Sequence, residues 1–425
     1  MPGIAGFVFI PVITLLLTLS FLSLPSQFLP GLIISFGVLL CLTIWAGYTK
    51  KEQGVPFLKA SLAMRFLFAI LICEIMVYFY PGRDAVGYNI DGFQAMLMLK
   101  EGDLSTFINT SFLGGGGTTF YKKMTGVMFL FLGPNEITVR VFNTIVAWAG
   151  SLFFFRAFSE GMEQKQKKLL AILLFFTPSL LLWSSIHGKD PWMFFGITAF
   201  SWASMGVLKR GFPNLLELLV GGLSILIIYF IRPHIDMLLA GSLLVAAIFS
   251  RSGTPKIRRF IPFIASVLLL YFAYTTFLSW VGVEESGSIK ALTETGFEHQ
   301  ERIIESGGSL YEIPAALKPL VLVVAPLIVY VRPFPFEARN IFALYTSVES
   351  LIILIILLIG FWKLFKFSRD QITDPRVVFS FTYLIAFAML FVFSGNFGII
   401  ARQRAAQAMP FMFFLASFAA NRTKP

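Results

Sequence analysis

Apolar runs close to the length of a membrane crossing, separated by short polar turns, recur along the chain from Gly6 to Ala420. About 20 apolar residues in a helix rising 1.5 Å per residue cover the roughly 30 Å of hydrocarbon in a bilayer. The pattern predicts helical spans near 6–24, 30–48, 62–80, 136–157, 168–186, 191–208, 214–231, 235–250, 260–281, 345–365, 376–394 and 405–421. Two apolar pieces fall outside this set. Met124–Leu132 is too short to cross, and Leu317–Val331 contains Pro319 and Pro326 and runs into Arg332-Pro333-Phe334-Pro335. Both read as re-entrant or interfacial helices, which are tolerated where they line a protein cavity. The expected fold is an all-α polytopic membrane protein of about 12 transmembrane helices. Residues 1–425 read as a single transmembrane domain, with 81–136 as a first long outer loop carrying amphipathic helices and 282–316 as a second outer loop.

Composition and charge sharpen this picture. Hydrophobic residues are 57% of the chain and charged residues 13%, against about a quarter charged in soluble domains, which excludes a soluble fold. The first run lacks a basic n-region and a small-residue cleavage site, and a second run follows at once, so it is expected to stay in the membrane. The net charge of +11 would suit nucleic acid if it lay in one stripe, but the basic residues sit in short turns between runs, so no nucleic-acid partner is expected. Clusters fall at Lys50, Lys51 and Lys59; Lys165, Lys167 and Lys168; Lys209 and Arg210; Arg251, Lys256, Arg258 and Arg259; Lys363, Lys366 and Arg369; and Arg422 and Lys424. Twelve spans with both termini cytoplasmic put every cluster on one side, as the positive-inside tendency requires. A full crossing at Leu317–Val331 would reverse the later ones. The expected location is the plasma (inner) membrane, multi-pass, among membrane lipids. Cys41 and Cys73 both lie inside apolar runs and form neither a disulfide framework nor a metal-ligand set.

With the cytoplasmic clusters accounted for, the remaining charges gather on the opposite face, where ionisable groups next to hydrocarbon are costly and commonly functional. Four places carry candidate chemistry. Arg83-Asp84-Ala85-Val86-Gly87-Tyr88 puts a carboxylate after the third run, ahead of an amphipathic stretch from Ile90 to Leu99. Asp84 can serve as a general base for an acceptor hydroxyl; a solvated helix cap would use the same residue type. Trp183 to Pro191 forms a tight turn in which Lys189 and Asp190 precede a helix start, a place that favours phosphate. Asp190 before Pro191 also fits an ordinary N-cap. Arg232-Pro233-His234 offers a guanidinium fork suited to phosphate oxygens, or a lone snorkelling arginine. Ser394-Gly395-Asn396-Phe397-Gly398 leads to Arg402 and Arg404, which run against the positive-inside tendency and call for an anion. Arg332 lies on the same face.

At these residues the chain resembles the GT-C superfamily of membrane glycosyltransferases, which includes protein mannosyltransferases and aminoarabinose lipid A transferases. The resemblance covers roughly the first half of the chain. It is carried by Asp84 with Tyr88, by Leu130-Phe131-Leu132-Gly133 followed by Asn135 to Asn143, and by Pro178 through Asp190. It implies a GT-C-like fold, a polyprenyl-phosphate-linked sugar donor, and Asp84 as the base that helps invert the anomeric centre. The second half is similar to bacterial surface-polysaccharide membrane proteins, through Arg332 to Glu337 and Asn396-Phe397-Gly398 before Arg402-Gln403-Arg404. Two departures stand out: no large soluble C-terminal domain follows, and the first loop has one clear acid, Asp84, with Asp91 seven residues later instead of an adjacent acidic pair.

Other features have plainer readings. Gly114–Gly117 with Thr118 and Thr119 lacks the Lys and the preceding strand of a P-loop and reads as a flexible loop near the cavity. The acidic residues Glu284, Glu285, Glu294, Glu298, Glu301 and Glu305 read as a solvated helix. The 49 phenylalanines are packing and lipid-facing residues, and the sequons at Asn109 and Asn421 match at chance frequency. Glu74 is expected to face the bundle interior.

Together these observations lead to the expectation of a membrane glycosyltransferase. It would move a sugar from a polyprenyl-phosphate-linked donor to a glycan, lipid or protein acceptor at the outer face. Asp84 would be the base. Tyr88, Lys189, Asp190, Arg232, His234, Arg332, Arg402 and Arg404 would bind substrate, the cations holding the phosphate leaving group. No cofactor is required by this reading; a divalent metal stays open without support in the residues. Two other readings use the same face: a repeat-unit polymerase or ligase acting on lipid-diphosphate-linked glycan, and a lipid-glycan flippase or transporter, although pseudo-symmetric halves are not evident.

Overall fold

A computed structural model describes residues 58–73, 84–113, 116–250, 313–338, 341–364 and 368–420, with Gly37, Ile75, 263–264, 266–271, 297–298, Gln300 and Tyr311. The described chain is helical, with no strand among the described residues. The expected spans 6–24 and 30–48, most of 260–281 and most of the second outer loop lie outside the described residues. So do Cys41, Glu74, Arg83, Gly114 and Gly115.

In chain order the helices are α1 (Leu58–Leu67, continued by a π turn Phe68–Ile72), α2 (Asp84–Lys100), α3 (Leu104–Asn109), α4 (Gly116–Leu132) and α5 (Glu136–Phe158). Then come α6 (Gln164–Phe176), α7 (Pro178–Trp183), α8 (Asp190–Arg210), α9 (Leu215–Ile231) and α10 (Pro233–Phe249). After a 3-10 turn at Ala315–Leu320 follow α11 (Val321–Val331), α12 (Ile341–Leu364), α13 (Arg369–Ile372), α14 (Pro375–Phe391), α15 (Phe397–Gln403) and α16 (Met409–Ala419).

Among the described residues three helices are long and apolar enough to cross a membrane: Glu136–Phe158, Asp190–Arg210 and Pro375–Ser394. They coincide with the expected runs at 136–157, 191–208 and 376–394. Leu215–Ile231, Pro233–Phe249 and Ala316–Val331 are shorter apolar helices. The expected span 168–186 is broken in the structure. Pro178 has no N–H and biases Thr177 out of the helical region, and Thr177 is extended (φ −64°, ψ 121°), so α6 ends and α7 begins there. The expected span 405–421 follows α15 and opens with a π turn at Arg404–Ala408 before continuing as α16.

Helix starts follow local chemistry. Asp103 caps α3 by accepting from the Thr106 N–H at 2.9 Å, and the Thr106 hydrogen bonds hold its carboxyl below the usual range. Asp374 caps α14, with Pro375 at the first helical position. Asn396 caps α15, just after Gly395 at φ 62°.

The described chain divides into two compact units. The first comprises residues up to Arg156, Ala171–Phe200 and Gly222–Arg232; the second comprises Ala157–Leu170, Ser201–Gly221 and Pro233 onward. Within the first, α2 and α4 pack through small residues. A Cβ on Gly92 would stand 2.5 Å from Thr125 Cγ2, and one on Gly126 2.6 Å from Ala95 Cβ, so the backbones approach as only glycine allows. Within the second, α14 packs on α10 and α11. Its buried face, Phe379, Tyr383 and Phe387, meets Phe411 and Tyr330 in ring contacts.

Candidate functional site

The first unit gathers most of the expected chemistry at the starts of α2, α4, α5 and α8. Asp84 opens α2 and is exposed. Tyr88 and Asp91 follow at four and seven residues, which places all three on one helix face spanning about 10 Å along the axis. Tyr88 is buried, with its ring edge-on to Tyr121 at 4.8 Å and 6.0 Å from His187. Asp91 pairs with Lys122 at 2.6 Å, and the same ammonium donates to the Leu113 carbonyl at 2.7 Å. Lys122 is itself buried, so this pair is a fixed feature of the α2–α4 hairpin and not a solvated surface contact.

Opposite it, Glu136, Arg140 and Asn143 occupy one face of α5. Asn89 donates to Glu136 Oε2 at 2.7 Å, and Arg140 Nε donates to Glu136 Oε1 at 2.9 Å. Asn143 Nδ2 reaches the Ile186 carbonyl at 3.0 Å and the Tyr121 hydroxyl at 3.3 Å, while its Oδ1 accepts from Trp192 Nε1 at 2.8 Å. This network ties α4, α5 and α8 to the turn that precedes α8.

That turn carries His187, Lys189 and Asp190. His187 is 3% exposed, lies among Tyr88, Tyr121 and Phe129, and has Nε2 3.4 Å from Thr125 Oγ1. Burial pushes its imidazole down to about 4; the Glu136 carboxylate opposes the shift and the Arg140 guanidinium adds to it. The ring is therefore neutral near pH 7. Lys189 Nζ lies 2.9 Å from Thr118 Oγ1 in the first turn of α4, and buried Asp190 lies 3.5 Å from Arg232 Nη1 at the end of α9. Gly117 makes this closure of α4 on α9 feasible, since a Cβ there would collide with the Ile231 carbonyl oxygen. From α1, fully buried Arg65 fastens the turn by donating to Ser184, with its other terminal nitrogen 2.8 Å from Ser151 Oγ.

The remaining expected residues lie in the second unit, where they serve distinct local arrangements. Arg404 is fully buried in the π turn; it donates to the carbonyls of Tyr330 at 2.9 Å and Arg332 at 3.1 Å, and to Ser350 Oγ at 2.9 Å. It thus satisfies the carbonyl end of α11, where the helix dipole favours a cation. Arg332 pairs with Glu337 at 2.9 Å through Nε and lies over the Tyr311 and Phe397 rings at 5.0 and 4.9 Å. Tyr311 donates its hydroxyl to the Val392 carbonyl at 2.7 Å, and burial pushes that hydroxyl's pKa up. His234, in the first turn of α10, lies 6.2 Å from the Phe391 ring, and Arg402 is half-buried in α15.

Comparison of the chain with protein-family models, with curated proteins and with solved structures gives no match. Among the described residues no group of three or more His, Cys, Asp or Glu side chains stands together as a metal-ligand set.

Of the expected site, Lys189, Asp190 and Arg232 stand together at the 187–190 turn in the first unit, and Tyr88 reaches that turn through His187. Sequence reasoning gave no role to Asn89, Lys122, Arg140, Asn143 or His187. The spacing of Glu136, Arg140 and Asn143 was a usable signal, because steps of four and three put polar groups on one face of an otherwise apolar run. Thr118 and Gly117, read as loop, form the first turn of α4 beside Lys189 and Ile231.

Proposed function

We propose that this chain is an inverting membrane glycosyltransferase that uses a polyprenyl-phosphate-linked sugar at the outer face of the plasma (inner) membrane. The reading is supported chiefly by one arrangement. The α2 face bearing Asp84, Tyr88 and Asp91 is joined through the Tyr88–His187 contact to the turn bearing Lys189 and Asp190, with Arg232 alongside. Lys189 and Arg232 thus stand with Asp190 at one polar turn of a strongly apolar chain, and the helix that meets this turn through Tyr88 begins with an exposed carboxylate.

In the proposed reaction, Asp84 takes the proton of an acceptor hydroxyl as that oxygen bonds to the anomeric carbon. The bond from anomeric carbon to phosphate oxygen breaks, and its electron pair leaves with the phosphate. Lys189 and Arg232 offset the charge that develops on the departing oxygen. Asp190, by pairing with Arg232, fixes the guanidinium, and neutral His187 holds the turn against Tyr88.

The test is transfer of label from a polyprenyl-phosphate monosaccharide to membrane glycolipid by the purified full chain. Product formation supports the reading. No product from any monosaccharide donor, with product from a lipid-diphosphate repeat unit, would replace it by the polymerase or ligase; movement of lipid-linked glycan across vesicles without transfer would replace it by the flippase.

A further inference from the structure

Asp236 stands apart from every arrangement described above. It lies in the first turn of α10, has no exposed surface, and neither carboxyl oxygen has a hydrogen-bond partner. Its helix neighbours Ile235, Leu238, Leu239 and Ala240 are buried and apolar. Among the described residues the helix packed most extensively on α10 is α14, whose ionisable side chains are Arg376 and Tyr383. Arg376 is engaged by Asp374 and by the carbonyls of Phe158 and Glu160. On α10 itself the other ionisable group is His234.

A carboxylate accepts at about four lone-pair sites. Left bare in an apolar interior the charged form is strongly disfavoured, and such a group takes up a proton instead. The helix N-terminus favours the anion only modestly and does not offset that cost. A buried acid with both oxygens unengaged also calls for an explanation beyond packing, since native proteins rarely leave such atoms bare. Ionisable groups within apolar helices mark ion or proton pathways. Asp236 lies about 4.5 Å of helix rise from Pro233 and about 3 Å from His234, and both of these are partly exposed.

We propose that Asp236 is a protonatable site in the apolar interior of the second unit, holding a proton in the described state and exchanging it with water through the Pro233 end of α10. The site is independent of the glycosyl-transfer reading.

Infrared spectroscopy of the purified full chain at neutral pH, with and without carboxyl-labelled [13C]aspartate, tests it. The expected result is a protonated-carboxyl stretch at the high-frequency end of its range. That band shifts on aspartate labelling, is lost in Asp236→Asn, and moves down after transfer to heavy water. Should the Asn variant fail to fold, Asp236→Glu keeps a carboxyl in place and returns a band that aspartate labelling no longer shifts. Absence of a label-sensitive band, or its persistence in both variants, overturns the protonated state. A band that heavy water never moves overturns the exchange.

Discussion

The carbonyl oxygen of Ile231 occupies the space that a side chain at Gly117 would need. Because the obstacle is backbone, no rotamer change relieves it. Gly117→Ala is expected to lower stability by about 1–3 kcal/mol, the usual cost of overpacking, and to separate the start of α4 from Arg232. Gly116, with open space around it, provides the control: Gly116→Ala should leave the thermal unfolding temperature in detergent nearly unchanged.

His187 links the site to pH. Its folded pKa of about 4 lies below the ordinary 6.5, so between those values the unfolded chain binds a proton that the folded chain does not. Stability should therefore fall as pH drops through that window, by up to about 3 kcal/mol at its acid end. His187→Gln removes the titrating group. Unfolding followed from pH 7 to 4 should show a shallower acid loss in the variant, and parallel curves would exclude His187 as the source.

Arg404 is expected to act on stability, because it holds the carbonyl end of α11. Arg404→Ala leaves the Tyr330 and Arg332 carbonyls and Ser350 short of a donor, and hydrogen bonds to charged groups are each worth about 1.5–3 kcal/mol. It should reduce folded yield and melting temperature. Arg404→Lys should rescue poorly, because an ammonium lacks the planar fork that reaches separate acceptors.

The long apolar helices at 136–157, 191–208 and 376–394, and the shorter ones at 214–231 and 235–250, were legible because uninterrupted apolar runs leave a chain few alternatives to helix. The break at Thr177-Pro178 was readable in principle, since proline marks it, but hydropathy averaged across it. The site was legible only where a charge interrupts a run, as at Lys189, Asp190 and Arg232. The Asp91–Lys122 pair escaped because its members are 31 residues apart and meet only when α2 folds on α4. Arg404 looked like an anion site for a related reason: a charge on the unexpected side signals a partner, and sequence alone does not say that the partner is the carbonyl end of α11.

Arg232 and Lys189 should act on donor binding. Removing either cation by alanine substitution is expected to raise the donor KM about 10- to 100-fold, the equivalent of one charge-assisted hydrogen bond, with a smaller effect on the acceptor KM. Initial rates at varied donor and acceptor concentrations separate the two. Equal effects on both would point to general loss of structure.

The central claim rests on the Asp84 carboxylate as base. The decisive measurement compares wild type with Asp84→Asn for transfer from a labelled polyprenyl-phosphate sugar, with donor binding measured on the same preparations. The expected result is loss of about 100-fold or more in transfer, the scale of general base catalysis, with donor binding retained. Undiminished transfer by Asp84→Asn would contradict the account.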